Sequence, residues 1–188
     1  VPTMLKRIED HPDFDKYDLS SIRVITYGGA PCPYEVLKKT IERFPGRIII
    51  NAFGATETAS TIATLRAEDL IITGEESEEE REKKLRRLAS SIGRPLDDVE
   101  VQIRDEEGRP LPPGQIGEIV VRSPRVMKGY WKDEEKTKKA FTPDGWYRTG
   151  DLGYMDEEGY IYLCGRADDL IIRGGENISP EEVENVLY

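Results

Sequence analysis

The stretches FGATET (53–58), RTGDLG (148–153) and GRADDLI (165–171) each place a hydroxyl, a carboxylate or a guanidinium close to glycine. Thr56 can donate to a phosphate oxygen, and the Glu57 carboxylate is a hard oxygen ligand suited to Mg²⁺ carried on a phosphate. Phe53 offers a flat face for a base. A Thr-Glu pair after a strand also caps helices, so both readings stay open at this point. Asp151 can accept two hydrogen bonds from a ribose diol, and charge-assisted bonds of that kind are worth roughly 1.5–3 kcal/mol each. An Asx-turn closing its own loop uses the same residue. Arg166 suits a phosphate or ribose oxygen, while Asp168 and Asp169 also suit a solvated bend. Gly174-Gly175 in RGGEN makes either a backbone nest or a plain turn. In GGAPCP (28–33), two glycines permit close backbone approach to a purine edge, or turn the chain into a helix.

These residues need elements to hold them. The spacing predicts a short helix from Pro2 to Asp10 with Met4, Leu5 and Ile8 on one face. A strand is expected near 22–27, then a helix from Pro33 to Phe44 stopped by Pro45-Gly46, then a strand over 48–53. Strand, helix, strand is a βαβ unit with parallel strands and a right-handed crossover. Both GGAPCP and GATETAS then leave the carboxyl ends of parallel strands, where open α/β sheets bind ligands. Residues 66–87 are strongly polar and read as a solvated helix or loop. Beyond SIGRPL, the segments VEVQIRD and GEIVVRS alternate as strands and KDEEKTKKAF is a short charged helix. GYMDEEGYIYLCG is a hairpin. The two DEEG stretches are hairpin tips, since the EF-hand spacing is absent. The last segment reads as a strand, a GG turn and a helix opened by Ser179-Pro180. The fold class is α/β: residues 1–91 form a parallel-sheet segment, 92–165 a small antiparallel β subdomain, and 166–188 the start of an α+β element.

Bulk properties narrow the chemistry. A net charge of −10 with 34% charged residues disfavours nucleic acid and anionic membranes as main partners. Apolar runs such as 48–50 are far too short to span a bilayer, and no signal-peptide pattern opens the chain. His11 is the only histidine and reads as a surface or capping residue, so a His-based triad is open only around it, where no nucleophile motif such as GxSxG stands, and a zinc site is equally poorly supplied. Cys32 and Cys164 lack CxxC spacing. They read as buried thiols in a reducing cytoplasm, with a disulfide left open.

Taken in order, GGAPCP, FGATET, GEIVVRSPRVMKGYW, GWYRTGDLG, GRADDLI and IRGGENISPEEVE resemble the adenylate-forming (AMP-binding) superfamily from Ile22 onward. That superfamily includes acyl-CoA synthetases, peptide-synthetase adenylation domains and luciferases. The VMKGYW and GGENISPEEVE wording looks most like fatty-acyl or aryl-CoA ligases. The resemblance implies that Gly29, Ala30 and Pro31 border adenine and that Phe53 stacks on it, where the family usually has Tyr. It places Gly54 and Ala55 beside the acyl group and phosphate, Thr56 on the α-phosphate and Glu57 on Mg²⁺. Asp151 would take the ribose hydroxyls and Arg166 would approach the same sugar. Asp168 matches the hinge of a C-terminal lid, and Gly174 and Gly175 would border the pantetheine tunnel.

The implied chemistry is a fatty or aryl carboxylate plus ATP giving acyl-AMP and pyrophosphate. CoA thiol attack then gives acyl-CoA and AMP, with catalysis mostly by alignment and charge stabilisation. The family's phosphate loop would precede Val1 and the lid's catalytic lysine would lie beyond Tyr188. The chain therefore reads as an interior piece of a longer enzyme. Alone it is expected to form no acyl-AMP at a useful rate and to self-associate through exposed edges. The alternative is a non-catalytic nucleotide-binding or structural module.

Overall fold

The computed structural model describes residues 1–30, 32–65, 76–167, 171–173 and 176–178. They fall into two compact units, residues 1–53 with 64–93 and residues 54–63 with 94–188. The first is built on a parallel pair, β1 (Val24–Gly28) and β2 (Ile48–Ala55), registered from Val24 opposite Ile48 to Gly28 opposite Ala52. Helix α2 (Tyr34–Arg43) links them, which is the βαβ unit expected. Pro33 stands just outside the helix as its N-cap, with an extended ψ of 139°. Gly28 is required by the pairing itself, because a Cβ there would lie 2.4 Å from the Ala52 carbonyl oxygen.

Helix α1 (Pro2–Glu9) starts on proline, which gives up no hydrogen bond at a first helical turn, and buries Pro2, Leu5 and Glu9. It packs on α2, whose Leu37 is fully buried. Phe14 meets Phe44 edge-on at 5.4 Å. The polar stretch becomes α3 (Glu78–Ser90), opened by a reciprocal Ser77–Glu80 capping box. Helix α3 packs on α2 and buries Leu85 and Leu88. Residues 66–75 lie outside the described residues. His11 is exposed and its Nδ1 accepts the Asp13 N–H at 3.1 Å, a local cap as expected.

One group in this unit works against its surroundings. Glu9 is 1% exposed, accepts the Thr40 hydroxyl, and leaves Oε2 without a partner among the described residues. Burial raises its pKa above the ordinary glutamate value, opposed by the Thr40 hydrogen bond and by Lys39. A raised folded-state pKa contributes stability below the unfolded value and loses it as pH rises through the folded one. Glu9→Gln is expected to remove that loss, so its unfolding midpoint should vary less than wild type between acid and neutral pH. Denaturant titrations across that range check it, and parallel pH profiles would refute it.

Strands β3 (Ser60–Thr64) and β4 (Ser91–Pro95) each straddle the boundary between the units along the chain. The second unit is an antiparallel meander of β5 (Glu100–Arg104), β6 (Gly117–Arg122), β7 (Tyr147–Met155) and β8 (Ile161–Arg166). Its core includes Ile103, Ile119, Val120, Val121, Trp146 and Ile161. The Arg104 and Arg122 guanidinium carbons lie 5.0 and 4.5 Å from the Trp146 ring centroid. Arg104 also binds both oxygens of Asp144, at 2.9 and 2.8 Å. Asp105 and Asp156 close the two DEEG tips as local turns. Helix α4 (Glu134–Lys139) is capped by Asp133. Strands β9 (Ile171–Arg173) and β10 (Glu176–Ile178) pair antiparallel. The helix expected after Ser179-Pro180 lies outside the described residues.

Candidate functional site

Thr56 and Glu57 sit on a single 3-10 turn, Thr56–Thr58, directly after β2. The turn is organised by a residue the sequence reading passed over. Thr58 is fully buried, and its hydroxyl accepts the Ala55 N–H at 3.0 Å while lying 3.0 and 2.9 Å from the Ala55 and Ser60 carbonyl oxygens. The next two residues pay for the reversal in backbone strain, Ala59 at φ 52° and Ser60 at φ 99°. Thr56 is left exposed and Glu57 half-buried.

A second segment of the same unit grips Glu57 at both ends. The Met127 N–H donates to the Glu57 carbonyl at 2.7 Å, and the Tyr130 hydroxyl donates to Glu57 Oε1 at 2.9 Å. That hydrogen bond is the first cause holding the Tyr130 pKa above its ordinary value.

Asp151 lies within β7, directly opposite Arg166 at the end of β8. Gly150 takes φ +74°, and three residues of β7 stand against Ile119 alone, so the chain bulges here. Bulges of this kind re-aim side chains near sites. Asp151 Oδ1 accepts from Arg166 Nη1 at 3.0 Å, and the Asp151 N–H donates to the Thr149 hydroxyl. The carboxylate side chain is 17% exposed against 50% for the arginine. Burial raises the Asp151 pKa, and Arg166 and Thr149 only partly oppose it.

Tyr147 is 5% exposed, and its phenol is pushed up to about 12, first by burial and then by Glu57, Tyr130 and Asp151, with Arg166 acting the other way. Tyr130 and Tyr147 were both missed in the sequence, and the Glu57–Tyr130 separation of 73 residues leaves no local spacing to read.

Gly29, Ala30 and Phe53 belong to the first unit, and Gly54, Ala55, Thr56, Glu57, Asp151 and Arg166 to the second. Gly29 adopts φ +77° and is exposed with Ala30, while Phe53 is half-buried. Pro31, Asp168, Gly174 and Gly175 lie outside the described residues. Cys32 is buried and Cys164 half-buried, and neither forms a disulfide. Burial pushes the Cys32 thiol up to about 12, an inert setting. Among the described residues no group of three or more His, Cys, Asp or Glu side chains gathers to hold a metal. A lone half-buried Glu57 carboxylate fits Mg²⁺ that arrives with phosphate and water oxygens as its other ligands. No described helix is long and apolar enough to cross a membrane.

Residues 1–131 match the family described as "AMP-binding enzyme". The whole chain is 40% identical over 189 residues to the long-chain-fatty-acid–CoA ligase of Bacillus subtilis, covering 30% of that protein. Two solved structures share the fold over 99% of this chain. The amide bond synthetase McbA of Marinactinospora thermotolerans has a TM-score of 0.83 at 39% identity, with 34% of it covered. The o-succinylbenzoate CoA synthetase of Bacillus subtilis, in complex with the acyl-adenylate intermediate OSB-AMP, has a TM-score of 0.79 at 38% identity, also with 34% covered. The chain spans about a third of the length of the curated relatives it matches.

Proposed function

The chain belongs to the AMP-binding enzyme family, and from that premise we propose that it carries nucleotide-binding residues of an AMP-forming acyl-CoA synthetase. The reaction is carboxylate plus ATP to acyl-AMP and pyrophosphate, followed by transfer of the acyl group to the thiol of CoA. The observation that carries this reading is the Asp151 carboxylate. It is largely buried and held by one oxygen to Arg166, which leaves acceptor capacity on the carboxylate. A ribose diol supplies two donors to such an acceptor, and Arg166 stands beside the same sugar. Thr56, exposed at the tip of its turn, donates to the α-phosphate. Mg²⁺ on Glu57 would neutralise charge on the phosphates. Gly29, Ala30 and Pro31 border adenine, Phe53 stacks on it, and Gly54 and Ala55 lie along the acyl-phosphate. Asp168 serves as hinge to a lid whose Gly174 and Gly175 border the pantetheine arm of CoA.

The protein acts in the cytoplasm on a fatty or aryl acid. Amine instead of thiol as acceptor is a second reading, favoured by the 39% identity to an amide bond synthetase. Both share the adenylation step. Self-association of this chain is also proposed, since Val1, Met4 and Ile8 of the first helical segment are 54%, 60% and 45% exposed. Light scattering tests that point, and a strict monomer refutes it.

The function is tested by calorimetric titration of acyl-sulfamoyl-adenosine analogues, fatty and aryl, into this chain. Saturable binding of either, stronger than that of adenosine alone, is the expected result. Equal binding of adenosine and analogue would point to a nucleotide-binding module without an acyl site. No binding at all would leave a structural module.

A further inference from the structure

The segment from Met127 to Thr137 is built to present one side chain. Gly129 adopts φ +153°, and a Cβ there would lie 2.7 Å from the Thr137 methyl, so only glycine lets the chain pass this close to α4. The Tyr130 N–H donates to the Thr137 hydroxyl at 2.8 Å, and that hydroxyl lies 2.7 Å from the Asp133 carbonyl oxygen. The Lys136 ammonium sits 4.1 Å from the Tyr130 ring centroid. Backbone, ring face and helix cap therefore fix the phenol before it reaches Glu57 Oε1 at 2.9 Å. The Met127 N–H fixes the Glu57 carbonyl from the same segment. Glu57 Oε2 makes no hydrogen bond among the described residues.

We propose that Tyr130 is the positioning residue of Glu57: its phenol occupies one carboxylate oxygen so that the other is presented, singly, to a divalent cation carried on nucleotide phosphate. This rests on the reading of Glu57 as the cation's protein ligand. A carboxylate with both oxygens free rotates and can chelate edge-on, whereas a small octahedral cation takes one oxygen per carboxylate most readily. Hydrogen-bond partners of a ligating carboxylate typically account for 10–100-fold in metal affinity or activity.

The test is ATP titration by calorimetry into this chain, with saturating Mg²⁺ and with EDTA, for wild type, Tyr130→Phe and Glu57→Gln. The ratio of the two affinities is the factor by which the cation tightens binding. Tyr130→Phe keeps the ring over Lys136 and is expected to lower that factor about tenfold. Its EDTA affinity and thermal midpoint should stay at wild-type values. Glu57→Gln should lower the factor at least as far. If Glu57→Gln lowers it and Tyr130→Phe does not, the inference fails while the Glu57 reading stands. If neither variant changes it, or no ATP binds, both fail. Equal weakening of Tyr130→Phe with and without Mg²⁺ marks a packing role and overturns the inference.

Discussion

Gly54→Ala is expected to destabilise the protein by about 3 kcal/mol or more, the range of severe overpacking. A Cβ at Gly54 would lie 1.7 Å from the Ser60 carbonyl oxygen, 2.6 Å from its carbon and 2.9 Å from the Thr61 Cα. All three are backbone atoms, so no side-chain rotamer can relieve the clash. The obstructing residues are also the strained ones, with Ala59 and Ser60 already at positive φ and tied back by the Thr58 hydroxyl. Relief requires moving the turn that carries Thr56 and Glu57, so ligand affinity should fall along with stability. Gly46→Ala is the control. Gly46 has φ +69° with nothing within 4 Å, so alanine there pays conformational strain alone, about 1–2 kcal/mol. Urea midpoints at unchanged slope compare the two. A Gly54→Ala midpoint no lower than that of Gly46→Ala overturns the argument.

Much of this architecture is legible in residue types and spacing. The parallel pair follows from the apolar run at 48–50, the amphipathic 34–43 segment and the Pro45-Gly46 stop, although pairing begins at Val24 rather than Ile22. Strand ends depend on which backbone groups find partners, and sequence does not carry that. The meander is equally plain in VEVQIRD, whose alternation puts Val99 and Ile103 inside, whereas in GEIVVRS the expected alternation fails because Ile119, Val120 and Val121 are all buried. Asp151 shows where reading stops. Glycines on both sides of it suggest a turn, yet Gly150 at φ +74° bends a strand without ending it, and the cross-strand partner decides which. The resemblance named Glu57 and Asp151 but not the groups that aim them. Tyr130 carries no local signature, since a hydroxyl bond spanning 73 residues is a property of the packed chain, whereas Thr58 bonds within three residues of itself and is hidden only by its burial. Glu9 is opaque for the same reason: a glutamate at a helix end reads as solvated until the neighbouring helix buries it.

Asp151→Ala should abolish adenosine-specific affinity while leaving stability close to wild type. Two charge-assisted hydrogen bonds to a ribose diol are worth roughly 3 kcal/mol or more together, and about 1.4 kcal/mol is tenfold in affinity, so the loss should exceed about 10²-fold. Stability changes little because the partner left behind, Arg166, is half exposed and water solvates it. The carboxylate's own removal relieves the burial that raises its pKa. That same shift gives the proposal a pH signature. The diol donors need an ionised acceptor, and Asp151 in the free protein takes up its proton at a higher pH than an ordinary aspartate. Wild-type affinity should therefore weaken on acidification before an unperturbed carboxylate would respond, and recover as pH rises through the shifted value. Asp151→Asn keeps one carbonyl acceptor, loses the charge and should bind weakly with no pH dependence in that window. Calorimetric titration of the acyl-adenylate analogue at stepped pH separates the three chains. Retained affinity in Asp151→Ala, or one pH profile shared by wild type and Asp151→Asn, would remove Asp151 from the ribose and leave its bulge and arginine pair as a brace between β7 and β8.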